Sequence, residues 1–211
     1  MLVLNDLLET CTSFLKAAKN GRIVYKLNHA IDRGSPTQWN LDLVVGPPST
    51  PSQVQLDGEL IASGEPSEIW LAVDAKTVMT EHGKARRNRQ RDLNSLHDIL
   101  HRQDPKTIVG GLVVLNMAER FNSPLRPKVT VHHNVERLVR ETIGLFRGLP
   151  RSKNGKTGLD ALGIIVVSHS NIGGEETRLV TGDPAPQTGD PVHYGSFLLD
   201  TCTAFSQRVP M

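Results

Sequence analysis

The sequence predicts one α/β domain built on a mixed β-sheet, and three observations carry that expectation. Residues 107–116 (TIVGGLVVLN) and 162–168 (LGIIVVS) are continuous apolar runs of strand length, the composition of strands buried on both faces. Segments of helical periodicity separate and flank these runs, as parallel crossovers require. Upstream, β-forming segments are divided only by turns, which is the pattern of antiparallel pairing.

The elements follow in order. Leu4, Leu7, Leu8, Cys11, Leu15 and Ala18 recur at spacings of three and four, so the chain opens with a helix, and Asn20-Gly21 stops it. Residues 22–29, with Ile23, Val24 and Tyr25, read as a first strand, and Gly34-Ser35-Pro36 as a turn. Residues 39–45 form a second strand closed by Gly46-Pro47-Pro48; a Pro/Ser loop and a short extra strand or hairpin arm at 54–62 follow. Glu65-Pro66-Ser67 then turns into an apolar third strand, residues 69–73. Leu93, Leu96, Ile99 and Leu100 mark a helix, with the basic stretch before them as its first turns or the loop leading in, and Asp104-Pro105 ends it. After the 107–116 strand come a Pro-rich loop, a helix at 135–146, a polar stretch at 151–158 and the 162–168 strand. A Gly- and Pro-rich loop (173–191) and a last helix at 196–205 complete the order α-β-β-β-α-β-α-β-α. No internal repeat or domain boundary interrupts it, so residues 1–211 form a single domain.

Composition narrows the classes. Apolar content of 38% and charged content of 22% fit a globular chain rather than a disordered one. A net charge of +2 is too small for a protein that coats nucleic acid, so phosphate affinity has to come from local clustering. Residues 84–91 supply it with five basic side chains in eight positions: Lys84, Arg86, Arg87, Arg89 and Arg91. Cys11 and Cys202 are too few and too far apart for a disulfide framework or a zinc site, and are expected as reduced, buried thiols. Met1 leads into Leu-Val-Leu-Asn-Asp without a basic segment, and no apolar run approaches the ~20 residues of a membrane span. The expectation is a soluble, cytoplasmic protein.

The chemistry concentrates in Asp74-Ala75-Lys76, directly after the third strand. Asp74 and Lys76 are two apart, so on extended backbone they share a face. A carboxylate there can hold a hard divalent cation while the ammonium stabilises charge on an attacking hydroxide or a phosphate. Magnesium is usually held by one or two carboxylates, and Asp42, between the apolar residues Leu41 and Leu43, is placed to supply the second. Asp57 is its rival, but Asp57-Gly58 reads as a turn.

An acid on the second strand, Asp-x-Lys on the third, then a helix and a buried strand: this arrangement resembles the PD-(D/E)xK nuclease superfamily, to which restriction endonucleases belong. Leu41 stands where the namesake proline would be. The resemblance implies a restriction-endonuclease-like α-β-β-β-α-β core over about residues 2–116, extended by further α, β and α elements over about 117–211. It implies Asp42, Asp74 and Lys76 as catalytic residues. Asp42, Asp74, the Ala75 carbonyl and Glu9 of the first helix, with Asp6 behind it, become metal ligands. The implied cofactor is Mg2+, with Mn2+ as a substitute. The implied activity is DNA endonuclease cleavage of restriction or phage-defence type, carried out by a homodimer with further defence-system subunits as partners. Lys84, Arg86, Arg87 and Arg89 would contact DNA phosphates, and residues 126–133 and 173–191 are placed for target readout. The competing expectation is a nuclease-fold protein without catalysis that serves as a nucleic-acid-binding or assembly subunit.

Other signals carry less. Gly155-Lys156-Thr157 lacks the first glycine of a phosphate-binding loop, because Pro150 stands there. His97 and His101 have helical spacing without the glutamate of a metalloprotease. His132-His133 points to both faces of an extended segment, and Ser168-His169-Ser170 has no glycine-flanked elbow.

Overall fold

Two helices, α1 (Leu2–Thr10) and α2 (Thr12–Lys19), open the chain where the sequence predicts one. The computed structural model describes residues 2–31, 39–50, 60–80, 82–124, 128–152 and 157–210. Cys11 makes the break, with extended backbone at φ −115° and ψ 99°. Leu4, Leu7 and Leu8 of α1 and Phe14, Ala17 and Ala18 of α2 are buried in one cluster with Tyr25, Leu43 and Val73 of the sheet.

The strands are β1 (Val24–Ile31), β2 (Trp39–Gly46), β3 (Ala62–Ser63), β4 (Leu71–Val78), β5 (Ile108–Asn116), β6 (Arg120–Phe121), β7 (Thr130–Val131), β8 (Ala161–Ser168) and β9 (Arg178–Leu179). Seven of them form one sheet in the order β3-β1-β2-β4-β5-β8-β9, while β6 and β7 make a separate antiparallel pair. The mixed character is as the sequence predicts. β1, β2 and β4 are antiparallel, and β4, β5 and β8 are parallel. The parallel strands are joined by α3 (His82–Gln103) and α4 (Val135–Arg147), and α5 (Tyr194–Arg208) returns last.

Two layers of helix cover the sheet. α1, α2 and α5 share one apolar cluster, while Leu93, Leu96 and Leu100 of α3 and Val139, Ile143 and Phe146 of α4 belong to the other. The glycines inside the β5 run are explained by this packing. A Cβ at Gly110 would stand 3.0 Å from the Phe197 ring of α5, and one at Gly111 3.3 Å from Leu93 of α3. Each glycine lets a large side chain from one helical layer settle onto the strand.

Several boundaries differ from the sequence reading. The third long strand does not stop at Val73; β4 continues to Val78, held by parallel pairing with β5 as far as Val78↔Leu115. The Asp-x-Lys tripeptide is therefore inside a strand rather than at its end. The basic stretch forms the first turns of α3. β6, β7 and β9 are short pairings in segments read as loops, too brief to leave a period in the sequence. Most of the 54–62 segment lies outside the described residues, and only Ala62-Ser63 joins the sheet, parallel to β1.

The two cysteines are not free thiols. Cys11 and Cys202 form a disulfide with Cα atoms 5.5 Å apart. The reason is topological: α5 comes back along the face that α1 and α2 occupy, so residues near the two ends of the chain meet. Ser13 and Ser206 are hydrogen-bonded at 2.7 Å beside the disulfide, and the Phe14 and Phe205 rings pack with centroids 5.0 Å apart. Disulfides belong chiefly to oxidising environments, so the cytoplasmic expectation gains nothing from the fold. Among the described residues no helix is long and apolar enough to cross a membrane.

Candidate active site

The β2–β4 pairing sets the geometry. Its last registered pair is Leu43↔Val73, and one step further along the two strands come Asp42 and Asp74. At that level the ladder parts. Instead of a backbone bond from β2, the Ala75 N–H donates to Asp42 Oδ2 at 2.6 Å. On β1, opposite Asp42, Asn28 has φ 51°, a left-handed conformation that asparagine tolerates better than most residues. The strands separate where the two carboxylates stand.

Strand alternation assigns the faces. Ala72 and Val78 belong to the cluster under α3 and α4, so Asp74 and Lys76, of the same parity, face that side. Asp74 is completely buried at 0% exposure, whereas Asp42 is exposed. Lys76 Nζ is 2.6 Å from Asp74 Oδ2, yet neither Asp74 oxygen accepts a hydrogen bond of ordinary geometry. Burial pushes the Asp74 carboxyl up to about 6, the Lys76 ammonium opposes the shift, and the neighbouring Asp42 carboxylate adds to it. Lys76 Nζ also lies 5.9 Å from the centre of the Trp39 ring, at cation–π distance.

The donor set fits a hard divalent cation. Asp42 and Asp74 are two carboxylates on one level of a parted sheet, and the one ion-pair partner of the buried Asp74 oxygens among the described residues is Lys76. The Ala75 N–H is turned toward Asp42, and the N–H and C=O of one strand residue face the same neighbour, so the Ala75 carbonyl faces that gap too. Among the described residues no group of three or more His, Cys, Asp or Glu side chains is gathered to hold a metal, so any remaining coordination would fall to water and substrate.

Not every residue singled out in the sequence comes to this place. Glu9 is exposed on α1, and α1 packs on the opposite face of the sheet from Asp74 and Lys76. Asp6 accepts a hydrogen bond from the Tyr194 hydroxyl at 2.5 Å. Asp57, Arg126 and the Gly155-Lys156 pair lie outside the described residues. On α3, Arg86 is paired with Glu141 at 2.9 Å and Arg89 with Asp92 at 3.3 Å. Lys84 and Arg87 are exposed and have no ion pair among the described residues. Ser168 and Ser170 line an open polar cavity of about 670 Å³ with Glu119, Arg120, Glu175 and Arg178.

Two features had no forecast. In the sequence Trp39 marks only the start of a strand, and its spacing from Lys76 along the chain gives no hint of proximity. The second is a clamp on Asp160, which precedes β8. Arg208 donates to both of its oxygens at 2.5 and 3.0 Å, the Val109 N–H donates at 2.8 Å, and His101 Nε2 is 3.8 Å away. Burial alone would raise this carboxyl, but the nearby His101 imidazole and the hydrogen bonds from Arg208 and the Val109 N–H hold it at about 2.

Compared with known proteins, the chain matches no family model, no curated protein and no solved structure. The class defined by fold and site together is an α/β domain with a mixed seven-stranded sheet that carries a strand-borne carboxylate pair beside a lysine.

Proposed function

We propose that the protein is a metal-dependent endonuclease that hydrolyses DNA phosphodiester bonds, with a restriction-endonuclease-like core. The observation that carries this reading is the parting of β2 and β4 at Asp42 and Asp74, where the buried Asp74 carboxylate has the Lys76 ammonium as its one ion-pair partner among the described residues. Asp42, Asp74 and the Ala75 carbonyl would hold Mg2+, or Mn2+ in its place. When bound, the cation supplies Lewis acidity toward the phosphate and lowers the pKa of a water. Lys76 offers a fixed positive charge for the developing charge on the phosphate. Burial of Asp74 strengthens the interactions of its own charge with the cation and with Lys76. The exposed Lys84 and Arg87 on α3 would take DNA phosphates, and a homodimer would let two such sites address both strands.

The test is plasmid cleavage with Mg2+, with EDTA, and with the Asp74→Ala and Lys76→Ala variants. Wild type nicks or linearises the plasmid with Mg2+, EDTA stops it, and either variant lowers the rate by at least about a hundredfold, the usual scale for losing such a group. Equal trace nicking by wild type and Asp74→Ala would remove the catalytic claim.

One observation favours a second reading. Asp74 is wholly buried and already neutralised by Lys76, an arrangement that also serves as a structural ion pair in a nuclease-fold subunit that binds without cutting. DNA binding by wild type with no cleavage under any divalent cation selects that reading.

A further inference from the structure

Lys76 Nζ is in direct ionic contact with Asp74 Oδ2 at 2.6 Å. It therefore stands on the carboxylate that a cation shared with Asp42 would need. A dication and an ammonium repel strongly at a fully buried carboxylate, so both cannot keep that contact. The lysine has to yield, and its side chain, only 15% exposed, has little room to do so. What lies beside it is the face of Trp39, with the ring centre 5.9 Å from Nζ. Trp39 pairs with Ile31 at the end of the β1–β2 ladder and packs on the same apolar cluster as Val78, which holds the indole in place.

We propose that Trp39 is a positioning residue for Lys76: its ring receives the ammonium when a divalent cation takes Asp74. Lys76 then competes with the cation for its own carboxylate. Indole is the strongest of the aromatic side chains for holding a cation, so the displaced ammonium stays beside the site rather than swinging into solvent. This inference rests on the metal-dependent nuclease reading.

The experiment has three readouts. Mn2+ is titrated calorimetrically into wild type and Lys76→Met. Trp39 emission is followed during Mg2+ titration in a Trp70→Phe background, since Trp39 and Trp70 are the two tryptophans of the chain. DNA cleavage is measured for Trp39→Leu and Trp39→Phe. Lys76→Met is expected to bind Mn2+ about tenfold more tightly, because a like charge has left the site. Trp39 emission should change saturably with Mg2+ and should stay flat when Lys76 is also Met. Trp39→Leu should lower kcat while KM stays within about twofold, and Trp39→Phe should restore most of the loss. Unchanged Mn2+ affinity in Lys76→Met, or flat Trp39 emission in a wild-type site that binds and cleaves, overturns the positioning role and leaves the nuclease reading standing. If wild type takes up neither Mn2+ nor Mg2+, both fall together.

Discussion

At the scale of single residues, Asp74 is the point where stability and chemistry conflict. Its carboxyl is fully buried and is held at about 6, above the unfolded value of 3.8. A raised carboxyl binds its proton more tightly in the folded state. Its favourable contribution is therefore complete below about pH 3.8 and is lost as the pH rises through about 6. At pH 8 the ionised form stays buried at a net cost of about 1–3 kcal/mol, with the opposing effect of Lys76 already included. Asp74→Asn keeps the shape without the charge, so it should be more stable than wild type at pH 8, with the gain vanishing at pH 4. Urea denaturation at the two pH values decides this, and equal gains at both would show that the buried charge is not the cause. On the proposed metal-dependent nuclease reading, the same variant loses DNA cleavage and Mg2+-induced thermal stabilisation. Such a cost in stability is expected where a site is built for function.

At the scale of elements, the long periodic segments were legible and the short ones were not. The buried β5 and β8 runs, the α4 periodicity and the apolar first half of β4 up to Val73 were readable because period and composition agreed there. The continuation of β4 past Val73 was hidden, because charged residues inside a parallel strand look like its end. Asp42 could be named from its apolar flanks, but the end of the β2–β4 ladder at Leu43↔Val73, which presents it, is a tertiary feature with no local signal. The Asp160 clamp was invisible for the same reason, since it joins α3, β5 and α5 through residues far apart in sequence. Its consequence is measurable. With the carboxyl held near 2, the stabilisation is full above the unfolded value of 3.8 and is lost as the pH falls through about 2. Asp160→Asn should cost about 3–5 kcal/mol at pH 7, because it leaves the Arg208 charge without its partner, and far less near pH 2. On α3, the exposed Lys84 and Arg87 are available to phosphate, while Arg86 and Arg89 are already paired. Replacing Lys84 and Arg87 by Ala should weaken DNA binding and lower the salt slope by roughly one per residue, whereas Arg89→Ala should change it little. A fluorescence anisotropy titration across salt concentrations separates these outcomes, and equal effects at all three positions would rule out α3 as a phosphate face of this design.

At the scale of the whole molecule, the two ends of the chain are joined across the helical layer formed by α1, α2 and α5. Cys11 and Cys202 are 191 residues apart, so the disulfide closes nearly the entire chain into one loop. Loop-closure entropy makes so long a ring the most stabilising in principle, about 5 kcal/mol in the chain-entropy picture, with measured values more often about 2–4. The layer does not depend on the disulfide alone. The Ser13–Ser206 hydrogen bond and the Phe14–Phe205 contact tie the same helices, and Phe197 is seated over Gly110 and Gly163 of the sheet. Reduction should therefore lower stability without unmaking the fold. The melting temperature should drop by roughly 5–15 °C, given that about 1 kcal/mol corresponds to 2–4 °C in a chain of this size. Cys11→Ser/Cys202→Ser should melt near the reduced wild type and be indifferent to reductant, which separates loss of the disulfide from any other action of the reducing agent. Far-ultraviolet circular dichroism of the reduced protein at 25 °C should keep its helical signal. Loss of that signal would mean that the helical layer stands on the disulfide rather than on its packing. Asp74 and Lys76 lie on the other face of the sheet, under α3 and α4, so Mg2+ affinity should survive reduction. A metal affinity that falls with reduction would instead couple the two layers through β4, whose Val73 and Ala72 touch one layer each.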